Sequence, residues 1–244
     1  MRKIYIVPNI VTTANMFAGF YSIIASIEHD FITAAWAILA ATVFDMLDGR
    51  IARLAKATSQ FGVEYDSLSD LVSFGMAPAI MLHQWALKPF GRLGWAASFL
   101  FVACGALRLA RFNVTSHKLP CGYFQGLAIP MSACVIATFV IFGHNVGWTE
   151  VPQLAVLVLT FTLASLMVST IRFPSFKELN WRSRASFGYL AVGVLSMILV
   201  AVRPEVTLFL VISGYIVISL LWNLYRVLVP GRSPVAGAEN LERH

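Results

Sequence analysis

Eight long apolar runs dominate this chain, near residues 9-27, 31-48, 67-87, 93-112, 123-143, 152-171, 186-202 and 206-226. A helix of roughly 20 apolar residues crosses the hydrocarbon core of a bilayer, because every backbone N–H and C=O is then satisfied within the segment. Eight such helices use up the 244 residues. With 58% apolar and only 12% charged residues, what remains cannot build a water-soluble domain. The expectation is all-α: a polytopic membrane helical bundle of about eight transmembrane helices in one domain, 1-229, with a disordered tail at 230-244 that is rich in Gly, Pro, Ala and charge. Asn9, Thr12, Thr13 and Asn15 interrupt the first run with hydrogen-bonding groups, which favours a retained helix over a cleaved secretory signal.

Of the 18 Lys and Arg, only Lys88, Arg92 and Arg203 lie on the face opposite the N-terminus; the other 15 share its face. Basic residues in short loops stay on the cytoplasmic side, so both termini and the 49-66 loop are expected in the cytoplasm. The net charge of +6 adds attraction to anionic membrane lipids. The basic residues are scattered over helix ends and form no patch on a soluble module, so a nucleic acid is not expected as partner. Cys104, Cys121 and Cys134 lack the close pairing of a metal site and read as packing residues.

Asp45 and Asp48 close the second run, and Asp66 and Asp70 flank the start of the third. Residues three or four apart share a helix face, so two pairs of carboxylates project from neighbouring helices at one end of a hairpin. One such acid alone would read as a solvated helix end balanced by Arg50, Arg53 and Lys56. Four at the membrane call for a cation or a water-filled cavity, since a central Asp costs about 2.5–3.5 kcal/mol to insert. Hard oxygen ligands suit Mg²⁺ or Mn²⁺, as one ion or two. Gly49, Ala52 and Gly62 allow close backbone approach, and Arg53 offers a planar fork of donors. Metal, small residues and Arg together describe a diphosphate site.

The run Asp45-Met-Leu-Asp48-Gly49-Arg-Ile-Ala52-Arg53, then eight residues to Gly62, three to Asp66 and three to Asp70, resembles the signature of the CDP-alcohol phosphotransferase family. All eight fixed positions are filled within 26 residues. The resemblance implies that a CDP-linked lipid such as CDP-diacylglycerol binds with its diphosphate at the metal site and that an alcohol displaces CMP. It makes Asp45, Asp48, Asp66 and Asp70 the metal site, with Asp70 near the metals and also the base for the incoming hydroxyl. Gly49, Arg53 and Gly62 would surround the CDP group, with Asp48 and Asp66 touching it. Pro8, Asn9, Thr12 and Asn15 resemble the family's N-terminal segment, which faces the nucleotide; ordinary helix–helix contacts are the alternative for Thr12 and Asn15. Thr58 and Ser59 in the intervening loop could donate to cytidine or phosphate. The family also implies a homodimer, in the inner membrane of a bacterium, with its active site facing the cytoplasm.

The acceptor alcohol is the open choice. Leu107-Arg108-Leu-Ala-Arg111-Phe112-Asn113, Phe124-Gln-Gly126-Leu127-Ala-Ile-Pro130 and Leu166-Met-Val-Ser169 resemble the serine-using branch of that family, with Ala128 departing from the expected proline. Arg108 and Arg111 lie three apart on one helix face and could hold the carboxylate of L-serine; the lipid phosphate is the alternative for them and for Asn113. A glycerol-3-phosphate acceptor is the runner-up. A transporter is disfavoured because no internal repeat or transmembrane path of acids is evident, and a prenyltransferase because its aspartate clusters lie on helices far apart in sequence.

Overall fold

The computed structural model describes residues 6–54, 59–115, 123–148, 151–174 and 204–228. The helices are α1 (Ile6–Ile27), α2 (Phe31–Leu54), α3 (Gln60–Asp70), α4 (Ala77–Leu82), α5 (Arg92–Thr115), α6 (Ile129–Asn145), α7 (Gln153–Val168) and α8 (Pro204–Leu228). Between α3 and α5 the chain stays helical, with π-helical segments at Leu71–Met76 and His83–Leu87 and a 3-10 turn at Lys88–Phe90. In each π segment the backbone reaches back five residues: the Ala77 N–H to the Val72 carbonyl, the Lys88 N–H to the His83 carbonyl. The helical class holds, with one addition. Tyr123–Gln125 (β1) pairs antiparallel with Arg172–Pro174 (β2) in a short ribbon.

Seven of the eight expected helices fall within the described residues, counting α3 to the 3-10 turn as one run. The run near 186-202, the tail 230-244 and Thr58 lie outside them, and so does the side chain of Arg53. Three helices are long and apolar enough to cross a membrane: Pro8–Ile27, Phe31–Ile51 and Arg92–Val114. Ile129–Asn145, Gln153–Val168 and Val206–Ser219 are shorter apolar helices. The runs at 123-143 and 152-171 were expected to be helical throughout. The first begins its helix only at Ile129, because residues 123–125 are drawn into the ribbon and Pro130 sets the first turn. The second ends at Val168, where Ser169 turns extended (ψ 158).

The bundle centres on α1 packed along α2, with α5 on α7, α2 on α6 and α6 on α8. Ala18, Ala25, Ala34, Ala35 and Ala41 are buried, and small residues let helix backbones approach closely in a bilayer. Large side chains such as Phe17, Phe20, Trp36, Met46, Phe99 and Ile218 face outward. So extensive an apolar exterior fits lipid as its solvent, and the chain is an integral membrane protein.

At the end remote from the aspartates, two helices terminate by the same device. After α6, Gly147 takes a left-handed conformation (φ 73), its N–H bonding to the His144 carbonyl at 3.1 Å and the Trp148 N–H to the Gly143 carbonyl at 3.1 Å. This folds Trp148 back against Phe139 (5.2 Å between centroids) and Phe142 (6.0 Å). After α1, His29 occupies the left-handed position (φ 65), and the Asp30 N–H bonds to the Ala25 carbonyl at 2.9 Å. Asp30 then caps α2, accepting the Thr33 N–H at 3.1 Å. The Thr33 hydroxyl and N–H hold the Asp30 carboxyl below the usual carboxylate range.

Candidate active site

Helices α2 and α3 carry the four aspartates to one end of the bundle, beside the start of α1. Ser59 starts α3: its backbone is extended (φ −120, ψ 151) and its Oγ accepts the Gly62 N–H at 3.0 Å. A Cβ at Gly62 would sit 3.2 Å from Ser59 Oγ and 3.8 Å from Asn9 Oδ1. Gly62 thus lets the start of α3 lie against Asn9 of α1. A Cβ at Gly49 would meet nothing within 4 Å, so the space beside Asp48 is open on that side.

Carboxylate oxygens of Asp45, Asp48 and Asp66 all lie within 4.8 Å of one another. Asp48 is buried and accepts the Thr12 hydroxyl at 3.0 Å. Asp66 Oδ1 is buried with no hydrogen-bond partner. Three converging carboxylates, one carrying an orphaned buried oxygen, are the donor set a hard divalent cation requires. The residues therefore fit Mg²⁺ or Mn²⁺. Asp70 is outside this three-carboxylate group; it is buried, and its Oδ1 accepts the Asn15 amide N–H at 3.2 Å.

Sequence reasoning missed the bolts that hold α1 in place. Ser69 Oγ donates to the Thr12 carbonyl at 3.0 Å, and Ser73 Oγ to the Asn15 carbonyl at 2.9 Å. They stand three residues after Asp66 and Asp70 and four apart from each other, which puts them together on the face turned to α1, a signal that was available. A Cβ at Gly19 would come within 2.5 Å of the Ser73 Cα, so α1 crosses the first π segment at a glycine. Beyond these, Thr13 Oγ1 and the Tyr65 hydroxyl lie 2.9 Å apart.

The two arginines part company. Arg111 donates to the carbonyls of Val168 (3.0 Å), Met167 (3.3 Å) and Ser169 (3.3 Å), closing the C-terminal end of α7 where the helix dipole favours a cation. Gly126 (φ 76) sits beneath it: a Cβ there would be 2.8 Å from Arg111 Nη2 and 2.3 Å from the Met167 carbonyl oxygen. Arg108, one helical turn away, is only 9% exposed, and its Nε has no partner. Its guanidinium carbon lies 5.8 Å from the Phe112 ring centroid, and its charge acts on Asp70 and Asp45. Asn113 donates to Ser67 Oγ at 3.0 Å, tying α5 to α3. Thr12, Asn15, Asp45, Asp48, Asp66, Asp70 and Arg108 are thus brought to one place, with Pro8, Asn9, Gly49, Ser59 and Gly62 at its margin.

The profile described as CDP-alcohol phosphatidyltransferase matches residues 5–168, which hold every one of these side chains. The chain belongs to the CDP-alcohol phosphatidyltransferase family. It is 36% identical to a CDP-diacylglycerol–serine O-phosphatidyltransferase of Helicobacter pylori across 92% of this chain and 94% of that protein. A Bacillus subtilis protein of the same name is 33% identical over 70% of this chain and 92% of its own length. An archaetidylserine synthase of Methanothermobacter thermautotrophicus is 35% identical over 68% of this chain and 69% of its own length.

Proposed function

We propose that this CDP-alcohol phosphatidyltransferase transfers the phosphatidyl group of CDP-diacylglycerol to the hydroxyl of L-serine, forming phosphatidylserine and releasing CMP. The observation that carries this reading is the identity, over nearly the whole chain, to proteins named for that reaction. The residues around Asp70 agree with it. Asp45, Asp48 and Asp66 would hold Mg²⁺ or Mn²⁺, which when bound neutralises charge on the diphosphate. Thr12 donates to Asp48 Oδ2 and so fixes that carboxylate. Gly49, Gly62, Asn9, Pro8 and Ser59 would line the CDP side, and Arg53 and Thr58 would be further donors to it. Asp70 takes the proton of the serine hydroxyl as the new O–P bond forms, while the P–O bond to CMP breaks and its electrons leave with CMP. Transfer is direct, with no phosphatidyl-enzyme. Arg108 holds the serine carboxylate and, burying its charge beside Asp70, is better placed for this than Arg111.

In this reading eight helices span the bacterial inner membrane, both termini and the active site face the cytoplasm, and the working unit is a homodimer. Purified protein in detergent with CDP-diacylglycerol and Mg²⁺ should release CMP with L-serine and little with ethanolamine, inositol or glycerol 3-phosphate. Faster release with glycerol 3-phosphate than with serine would overturn the assignment and recast Arg108 as a phosphate ligand.

A further inference from the structure

Two polar atoms beside Asp70 are buried and unmatched. Asn15 is wholly buried at 0% exposure. Its amide N–H points at Asp70 Oδ1, the orientation an acceptor-only carboxylate demands. Its Oδ1 therefore faces the other way and has no hydrogen-bond partner. The side chain has little freedom to turn: Ser73 bonds the Asn15 carbonyl, and one turn further on Gly19 lies against Ser73. From α5, the nearly buried Arg108 brings the complementary defect, an N–H donor with nothing to receive it. A folded protein rarely keeps a buried acceptor and a buried cationic donor unmatched around one carboxylate unless a ligand completes them.

We propose that Asn15 is an acceptor-specificity residue: its Oδ1 receives the ammonium of an amino-acid acceptor while Arg108 receives the carboxylate, which delivers the hydroxyl to Asp70. The inference rests on the functional reading above and deepens it. Serine carries those three groups around one carbon. Three fixed partners of different chemistry, an acceptor, a cation and a base, accept them in one handedness. Each rejected alcohol lacks at least one group: ethanolamine the carboxylate, inositol both charged groups, and glycerol 3-phosphate any N–H donor. The site thus discriminates by leaving buried groups unpaired when the wrong alcohol binds. Asn15 is placed on the acceptor side of Asp70 and not on the nucleotide.

The test compares acceptors within each protein, so that any slowing common to all acceptors cancels. Wild type and Asn15→Leu are assayed for CMP release with L-serine, D-serine and 3-hydroxypropionate, which keeps the hydroxyl and carboxylate and lacks the ammonium. Wild type should prefer L-serine over 3-hydroxypropionate by roughly tenfold to a hundredfold in kcat/KM. In Asn15→Leu that preference should fall to about threefold or less, with the KM for CDP-diacylglycerol within about threefold of wild type. Asn15→Ala, which opens space and creates no pressure, carries the same expectation should the Leu variant not fold. Unchanged preference in the variants, or a wild type that uses 3-hydroxypropionate or D-serine as well as L-serine, overturns the role of Asn15 and leaves the serine reaction standing. CMP release with glycerol 3-phosphate and none with L-serine overturns the functional reading itself.

Discussion

At the aspartate end, α1 is tied to its neighbours by the side chains of Thr12, Asn15, Ser69 and Ser73, whereas at the far end the rings of Trp85, Phe139, Phe142, Trp148 and Phe209 pack on one another. The polar end gathers carboxylates that repel one another and buried atoms that lack partners, so it is expensive in the absence of ligands. The aromatic end gains from every contact and demands no ligand. Function and stability are thus drawn from opposite ends of the same helices, with α2 carrying Asp45 and Asp48 at one end and the Asp30 cap at the other. Substitutions at the two ends should therefore separate cleanly in what they change.

The largest effect is expected from Asp70→Asn, which keeps the shape and the Asn15 contact and removes the base. Turnover at saturating metal and substrates should drop roughly 10²- to 10⁴-fold, with the thermal midpoint in detergent near that of wild type. Near-normal turnover would remove Asp70 from the chemistry. Next, Asp66→Asn weakens the three-carboxylate set, and the Mg²⁺ concentration for half-maximal CMP release should rise at least roughly tenfold. Wild type treated with EDTA should lose activity and regain it on addition of Mg²⁺ or Mn²⁺; activity that survives chelation would break the metal assignment. At the other end, Gly143→Ala pushes a methyl to within 2.5 Å of the Trp148 ring. Overpacking of this kind costs about 1–3 kcal/mol, so a lower melting temperature with unchanged KM for serine is expected. A shift in serine KM from Gly143→Ala would show that the ends are coupled. The smallest effect belongs to Ser73→Ala, which deletes one hydrogen bond worth about 1 kcal/mol and should show mainly as a lower kcat through a less constrained Asn15.

The carboxylate constellation was legible because it is local: its spacing fits two helix faces joined by a loop, and nothing elsewhere in the chain had to be known. Arg111 illustrates the opposite case. At a helix end it reads equally as a topology signal or as an anion ligand. Its partners at 167–169 lie more than 50 residues away and are chosen by how α5 meets α7. Gly126 was noted for its motif, yet its reason is the room it leaves beneath that guanidinium. The run at 67-87 announced a single helix, and hydropathy carries no mark of the change from four-residue to five-residue bonding at Leu71. The short ribbon was hidden for the same reason that ends of apolar runs always are, since three residues of pairing leave the composition unchanged.

Each residue of an α-helix advances the chain about 100° around its axis, and a π segment accommodates one residue more than α-helix would over the same rise. Leu71–Met76 therefore works as a gear between the part of the helix that carries Asp66 and Asp70 and the part that carries Trp85. Deleting one residue there would leave regular α-helix as far as the second π segment, but with its two halves turned against each other. Either the carboxylates would swing away from Asp45 and Asp48, or Trp85 would swing away from Phe139. The orientation of the catalytic half can in this way be adjusted by a single insertion or deletion without rebuilding the aromatic half.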